Sequence, residues 1–479
     1  VRYAARGLVR NPLFTIVAVL TLSIGTGANT AVFTVVDNVL LKPLPYPDAD
    51  ELVSIWHVAP GAPGLAAVAG GLGPSPSMFV TYREENRSFS SIGLYQTGMA
   101  NVTGLGEPEE VPSARVSGGV LQTLGVAPLL GRWLDESDEN VGNPPVSMLS
   151  YAYWQRRFGG DPNIIGKTIT VNGFTAEIVG VMPEGFRFGD EVADIIGPYR
   201  MAPAQLIPPP FCCNAVARLN PGVTLKQANA DLARLLPIWL DRFPFPGGAR
   251  GHQIYLDGWR ITPTVRTLKA EVVGSIGDVL WVVMAMIGVV LLIACANVTN
   301  LLLVRGERRR QEFGVRAALG AGTWPIARAL TAESLLLAVV GGVVGLIIGL
   351  GALKLILALA PPQLPRLDEI GIHPSVLLFA LGISLLNGAV FGLMAILKFV
   401  RSGAINLKEG GRSVSDGPGR HRTRNTLVVS QIALALMLTI VSGLLIRTVV
   451  EMRRVHTGFT DPEAVQTFRV SIPSTLIPD

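Results

Sequence analysis

The stretch IGDVLWVVMAMIGVVLLIACANVTNLLLV, residues 276–304, decides the class of this chain. It is almost wholly apolar and longer than the roughly 20 residues an α-helix needs to cross a bilayer. Four more runs of this kind lie around it, at 13–41, 324–360, 376–400 and 425–450. The first is too long for the ~7–15-residue core of a signal peptide and reads as an anchor that stays. The long stretch between the first two runs, 42–275, has the composition of a soluble protein. The expected fold is therefore membrane α-helical with one large extracytoplasmic α+β domain. It forms a four-helix unit followed by the first helix of a second repeat.

Composition agrees. Of 479 residues, 49% are hydrophobic and only 16% are Asp, Glu, Lys or Arg, against roughly 25% charged in an average soluble domain. The mean hydropathy is +0.43. A net charge of +5 could suggest nucleic acid as a partner. Here, however, the basic residues cluster beside apolar runs, which is the mark of membrane topology and lipid contact.

Those clusters set the expected orientation. Arg2, Arg6 and Arg10 precede the first run, so 1–12 is expected in the cytoplasm. The loop 305–323 holds Arg305, Arg308, Arg309, Arg310 and Arg316, and the linker 401–424 holds Arg401, Lys408, Arg412, Arg420, Arg422 and Arg424. The short loop 361–375 holds only Arg366 as a basic residue, beside Asp368 and Glu369. Basic loops stay inside, so 42–275 is expected outside. Arg447, Arg453 and Arg454 run against the rule, but late charges weigh less and long side chains snorkel. Arg424-Asn425 leads into the fifth run as Arg10-Asn11 leads into the first. The layout predicts a longer protein in which 451–479 begins a second extracytoplasmic domain.

Within the outer stretch, 166–173 reads as a strand running into an Asn172-Gly173 turn, with 174–181 as its hairpin partner. A helix is expected to start after Thr224 as cap. Gly61–Gly73 is expected to be a flexible loop. Gly166-Lys167-Thr168 ends like a phosphate-binding loop, but Asp161 stands where that loop needs its first glycine. A turn entering a hairpin is the better reading. Cys212 and Cys213 are adjacent in a Pro-rich stretch and read as loop thiols, with a vicinal disulfide as the alternative; Cys295 reads as packing. The five histidines show no ligand spacing, so no metal is expected.

In the membrane runs, Gly25, Gly27 and Asn29 form a small polar patch where a neighbouring helix can approach closely. Glu333, early in its run, reads as an interfacial acid facing water, with a functional intramembrane acid as the alternative. Lys354 reads as snorkelling, and Asn297, Asn300 and Asn387 read as bonds between helices rather than substrate ligands. The most informative cytoplasmic segment is 305–321, in which Phe313, Leu319 and alanines stripe a charged helix. That mixture suits docking to a protein better than contact with headgroups alone.

This segment resembles the loop of the MacB/FtsX-type ABC transporter permeases, with Glu312-Phe313-Gly314-Val315-Arg316 and Ala318-Leu319-Gly320-Ala321 as the matching residues. The resemblance continues elsewhere. Arg10-Asn11-Pro12, the patch from Gly25 to Phe33, and Leu41-Lys42-Pro43-Leu44-Pro45-Tyr46-Pro47 look like the first span of that family. Trp154 to Pro162 and Val179-Gly180-Val181-Met182-Pro183 look like its periplasmic core domain. The layout of four spans and a second copy is similar to the duplicated acidobacterial permeases.

The resemblance implies a permease subunit, not itself an enzyme, that works with a separate cytoplasmic ABC ATPase. That partner binds the ATP, so no cofactor is expected here. Glu307, Glu312, Phe313, Gly314, Arg316, Ala318 and Gly320 would couple to it, and Glu312 and Arg316, four apart, can share a helix face. A periplasmic adaptor or lipoprotein is implied as a further partner. The implied work is efflux, lipoprotein or peptide extraction, or mechanotransmission. An ion-coupled carrier would need acidic residues at midplane; a membrane-anchored sensor without ATPase coupling is the other alternative.

Overall fold

The computed structural model describes residues 6, 8–62, 64, 71–202, 206–208, 211–243, 250–274, 276–308, 323–359, 370–371, 373–406 and 418–453. The chain divides into two compact units, the membrane helices and the domain between the first two of them.

Helix α1, Pro12–Val36, starts with proline where a helix needs no N–H and ends in a π-turn, Asp37–Leu41. The domain that follows is α+β. Its strands are β1 (Leu52–Val58), β2 (Phe89–Thr103), β3 (Glu109–Val116), β4 (Leu130–Gly131), β5 (Val146–Leu149), β6 (Thr168–Val171), β7 (Phe174–Val181), β8 (Ile195–Pro198), β9 (Asn214–Leu219) and β10 (Thr262–Thr267). Its helices are α2 (Pro76–Glu85), α3 (Val120–Leu124), α4 (Tyr151–Phe158), α5 (Leu225–Arg242) and α6 (Leu268–Val273).

The strands make one mixed sheet in the order β10-β1-β9-β2-β3-β8-β5-β7-β4, with β6 bridging β2 and β7. That bridge closes β2, β3, β8, β5, β7 and β6 into a ring. Among the described residues only β3–β8 and β5–β7 are parallel. Val111, Ile169, Ile178 and Ile195, from four strands of the ring, share a buried cluster with Tyr153 and Trp154 of α4.

At the other end of the sheet a larger core forms. Met78, Phe79 and Tyr82 of α2 meet Leu232, Leu235, Leu236 and Trp239 of α5 over Val53, Ile55 and Val265. Trp239 is fully buried, and its indole N–H donates to Ser77 Oγ at 2.8 Å. That bond removes the cost of burying a polar N–H in an apolar site.

Local chemistry sets the ends of these elements. Asn172 and Gly173 take φ of 50° and 84°, so the two-residue turn joins β6 to β7 as a hairpin. Thr224 caps α5 in a capping box with Gln227. Ser75, Ser150 and Thr267 cap α2, α4 and α6. Lys167 pairs with Asp161, so the lysine of the phosphate-loop lookalike is engaged in an ion pair beside the hairpin. Residues 65–70 of the Gly61–Gly73 loop lie outside the described residues.

The remaining membrane helices are α7 (Ile276–Arg308), α8 (Thr323–Leu359), α9 (Pro374–Asn406) and α10 (Pro418–Arg453). With α1 they give five helices, among the described residues, that are long and apolar enough to span a bilayer. Three of them overrun their apolar runs. Helix α7 continues through Arg308, α9 continues to Asn406, and α10 starts at Pro418. Helix α1 is the hub, packing along α8 and α7 and touching α9. Helix α10 packs on α7 and otherwise presents exposed apolar side chains.

Candidate functional site: the helix seam and its coupling end

Lipid tails are as apolar as leucine, so membrane helices associate through close packing and a few polar bonds rather than through a hydrophobic push. The seam of α1 follows that rule. Gly341, Gly345 and Gly349 recur every four residues and so share one face of α8. A Cβ added at Gly27 would sit 2.7 Å from Gly345 O and 3.2 Å from Gly349 N, and one at Gly349 would sit 2.9 Å from Gly27 O. The two backbones therefore touch, and only glycine fits. On the α7 side a Cβ at Gly25 would meet Leu291 and Ala294 at 3.2 and 3.3 Å.

Polar groups fasten the seam. Asn29 Nδ2 donates across to Ile287 O at 3.0 Å and along its own helix to Gly25 O at 2.9 Å. Ser23 Oγ donates to Gly341 O at 3.0 Å. Both donor residues are buried. Gly27 thus lies on the side of α1 that meets α8, and Gly25 and Asn29 lie on the side that meets α7. Asn387 of α9 is buried and accepts from Cys295 Sγ of α7 at 3.1 Å; Asn297 is exposed.

The two ends of α1 are held differently. At its C-terminal end Asn38 Nδ2 donates to Gly371 O at 3.2 Å, His373 Nε2 lies 3.0 Å from Asn38 Oδ1, and Ser375 Oγ donates to Asp37 Oδ2 at 2.6 Å. Phe33 stacks on Phe379 with ring centroids 3.7 Å apart. These contacts fix α1 to the start of α9.

At the N-terminal end a charged hub replaces them. Arg305 of α7 reaches Glu333 of α8, Nη2 to Oε1, at 2.7 Å. The Arg305 guanidinium lies 4.5 Å from the ring centroid of Phe14 on α1. Both charged side chains are only about a tenth exposed, 12% and 10%. Glu333 is thus a buried partner of arginine rather than an interfacial acid facing water. A guanidinium, planar and with several donors, can bond a carboxylate while lying flat on an aromatic face, a geometry that the compact ammonium of lysine does not offer. Three helices meet at this point, just inside the segment 309–322 that joins α7 to α8.

Of the residues that the resemblance assigns to coupling, Glu312, Phe313, Gly314, Arg316, Ala318 and Gly320 lie outside the described residues. Glu307 falls on the last turn of α7. The hub was not legible from spacing, because Phe14, Arg305 and Glu333 come from three distant parts of the chain. An arginine leaving one apolar run and an acid entering the next was the available signal.

Comparison with known proteins bears on both units. Residues 15–235 match the family described as MacB-like periplasmic core domain, and residues 284–404 match the FtsX-like permease C-terminal family. The chain is 28% identical, over 57% of its length, to the pyoverdine export ATP-binding/permease protein PvdT of Pseudomonas syringae pv. tomato. It is 24% identical, over 58% of its length, to the macrolide export ATP-binding/permease protein MacB of Escherichia coli K12. It spans 38% and 40% of those two relatives. A solved structure, the periplasmic region of MacB from Actinobacillus actinomycetemcomitans, aligns with 47% of this chain and 91% of that one, at 13% identity and a TM-score of 0.34. With a periplasmic core domain set after its first membrane helix and an FtsX-like permease region behind it, the chain belongs to the MacB/FtsX-type ABC transporter permeases.

Proposed function

We propose that this chain is the permease subunit of an ABC transporter and transmits ATP hydrolysis by a separate cytoplasmic ATPase to the extracytoplasmic domain. The N-terminus and the segment 305–323 face the cytoplasm in this reading, supported by their arginines. The observation that carries the proposal is the hub of Phe14, Arg305 and Glu333. It ties α1, α7 and α8 together beside the segment that a coupling partner would grip. A push on that segment reaches α1 directly through the Arg305–Phe14 contact and, by way of the ion pair to α8, along the glycine seam. The chain of α1 continues directly into the outer domain, and α7 begins where that domain ends, so tilting either helix pulls on the domain.

The proposed substrates are those of an export or extraction system: a small exported compound, a peptide or a lipoprotein, engaged outside or in the outer leaflet. A periplasmic adaptor is a proposed further partner. ATP is bound by the partner ATPase.

The test is to pull the full-length protein from its native membrane, with and without Glu312→Ala plus Arg316→Ala. An ATP-binding subunit should co-purify with the wild type and be lost with the double variant. Recovery of no ATPase in either sample would sink the coupling reading and favour a membrane-anchored sensor.

A further inference from the structure

The turn that enters β9 holds Cys212 and Cys213, both free thiols, with their sulfurs 2.8 Å apart. Two adjacent side chains on extended backbone normally point to opposite sides. Here they converge. Cys213 lies in the core beneath β9 and is 3% exposed, whereas Cys212 is half-buried at its edge. The Tyr199 hydroxyl stands 3.5 Å from Cys213 Sγ, and the Arg115 guanidinium lies 5.1 Å from the Tyr199 ring centroid. Gln96 Nε2 holds the Cys212 carbonyl at 3.3 Å, so the turn is anchored on both sides.

We propose that Cys212 and Cys213 form a thiol–disulfide exchange site in the outer domain, with Cys212 as the attacking sulfur and Cys213 as the resolving one. The two roles follow from position. Cys212 can be reached from solvent, while Cys213 is sealed in the core but within reach of Cys212. Electrostatics agree. The hydrogen bond from Cys213, opposed by partial burial and helped by Arg115, brings the Cys212 thiol down to about 7. The same hydrogen bond, together with burial, pushes the Cys213 thiol up. A thiolate near neutral pH is the nucleophile in such exchange.

The co-reactant is a disulfide, either of a small molecule or of an extracytoplasmic oxidoreductase. The Cys212 thiolate attacks one of its sulfurs, forming a mixed disulfide and releasing a thiolate. Cys213 gives its proton to the released thiolate and attacks Cys212 Sγ. A vicinal disulfide forms, and the second thiolate leaves. The two cysteines are oxidised, and the co-reactant is reduced to two thiols. Disulfides persist outside the cytoplasm, so the product would last where this domain is proposed to lie. Ring closure would reshape the turn, and Gly73 packs directly against it, since a Cβ there would sit 1.9 Å from Cys213 O. Strand β9 pairs with both β1 and β2, so the change is made at the entrance to an inner strand of the sheet.

The test uses the full chain in detergent with oxidised glutathione as probe, followed by alkylation, trypsin and mass spectrometry of the peptide Met201–Arg218. Wild type should lose two hydrogens at this peptide, resist alkylation, and recover both thiols with a reducing dithiol. Its rate should climb as pH rises through about 7. Cys213→Ser should stop at a glutathione adduct on Cys212, and Cys212→Ser should react at least tenfold more slowly. If wild type keeps two alkylatable thiols, stops at the adduct, or is matched in rate by Cys212→Ser, the site does not exist as proposed. The wild-type result stands even if a serine variant fails to fold.

Discussion

The outer domain and the membrane unit are held together by opposite means. In the domain, large side chains leave water: Trp239, Tyr82, Phe79 and Met78 are fully buried under a continuous sheet. In the membrane unit, the closest contacts are made by residues with almost no side chain, Gly27 against Gly345 and Gly349. The solvent explains the difference. Water drives apolar surface together, whereas lipid does not, so helices in lipid gain only from near approach and from polar bonds that cross the seam. A substitution should therefore harm the domain by removing bulk and the membrane unit by adding it.

The largest effect should come from Trp239→Ala. It opens a cavity between α2 and α5 and removes the indole donor to Ser77 Oγ, and should destabilise the domain by about 3–5 kcal/mol. Hydrogen exchange at β1 and β9 should rise, while the membrane helices stay protected. Equal loosening of both units would break the contrast.

Acid should come next, and again in the domain alone. His57 is fully buried with Nε2 2.7 Å from the Tyr82 hydroxyl, and burial lowers its pKa to about 4. An unfolded histidine takes up its proton near 6.5, so the unfolded state binds more protons between these values. Stability is whole above pH 6.5 and is lost as pH falls toward 4, by about 3 kcal/mol in all. Domain melting followed across that window should show the slope in wild type and lose it in His57→Gln.

In the membrane unit, Gly27→Val should cost about 1–3 kcal/mol by overpacking, because its Cβ would meet backbone that cannot swing aside. Mild-detergent melting should fall for this variant, whereas Ala338→Gly, which removes bulk, should move it less. The smallest effects give the sharpest pair. Asn29→Ala deletes a seam bond and should cost about 0.6 kcal/mol, while Thr224→Ala deletes the α5 cap and should cost about 1 kcal/mol. A seam loss well above the cap loss would mean that polar bonds, not glycine contacts, carry the membrane unit.

Local features of both units were legible in the sequence. Long apolar runs announce spanning helices because lipid leaves the backbone no other partner. Asn172-Gly173 and Thr224 announce a turn and a cap because each acts on residues within a few positions. Gly25, Gly27 and Asn29 pointed to a seam, although not to Gly345 and Gly349 as its other half. What stayed hidden was long-range pairing. Nothing near β10 says that it returns beside β1, and nothing in β6 says that it closes a ring with β2. Glu333 read as an interfacial acid because its partner, Arg305, belongs to the preceding helix. Cys212 and Cys213 read as loop thiols because the convergence of two neighbouring side chains depends on the core beneath them.

The central proposal is that the hub of Phe14, Arg305 and Glu333 passes motion from the segment between α7 and α8 to the outer domain. The most direct measurement is hydrogen exchange of the outer domain in the purified permease–ATPase complex, with and without a non-hydrolysable ATP analogue, for wild type and Glu333→Ala. The account predicts that nucleotide alters exchange in the wild-type domain, and that Glu333→Ala retains the ATPase but abolishes the change. An unchanged domain in a wild-type complex that binds nucleotide would contradict it, as would a full response in Glu333→Ala.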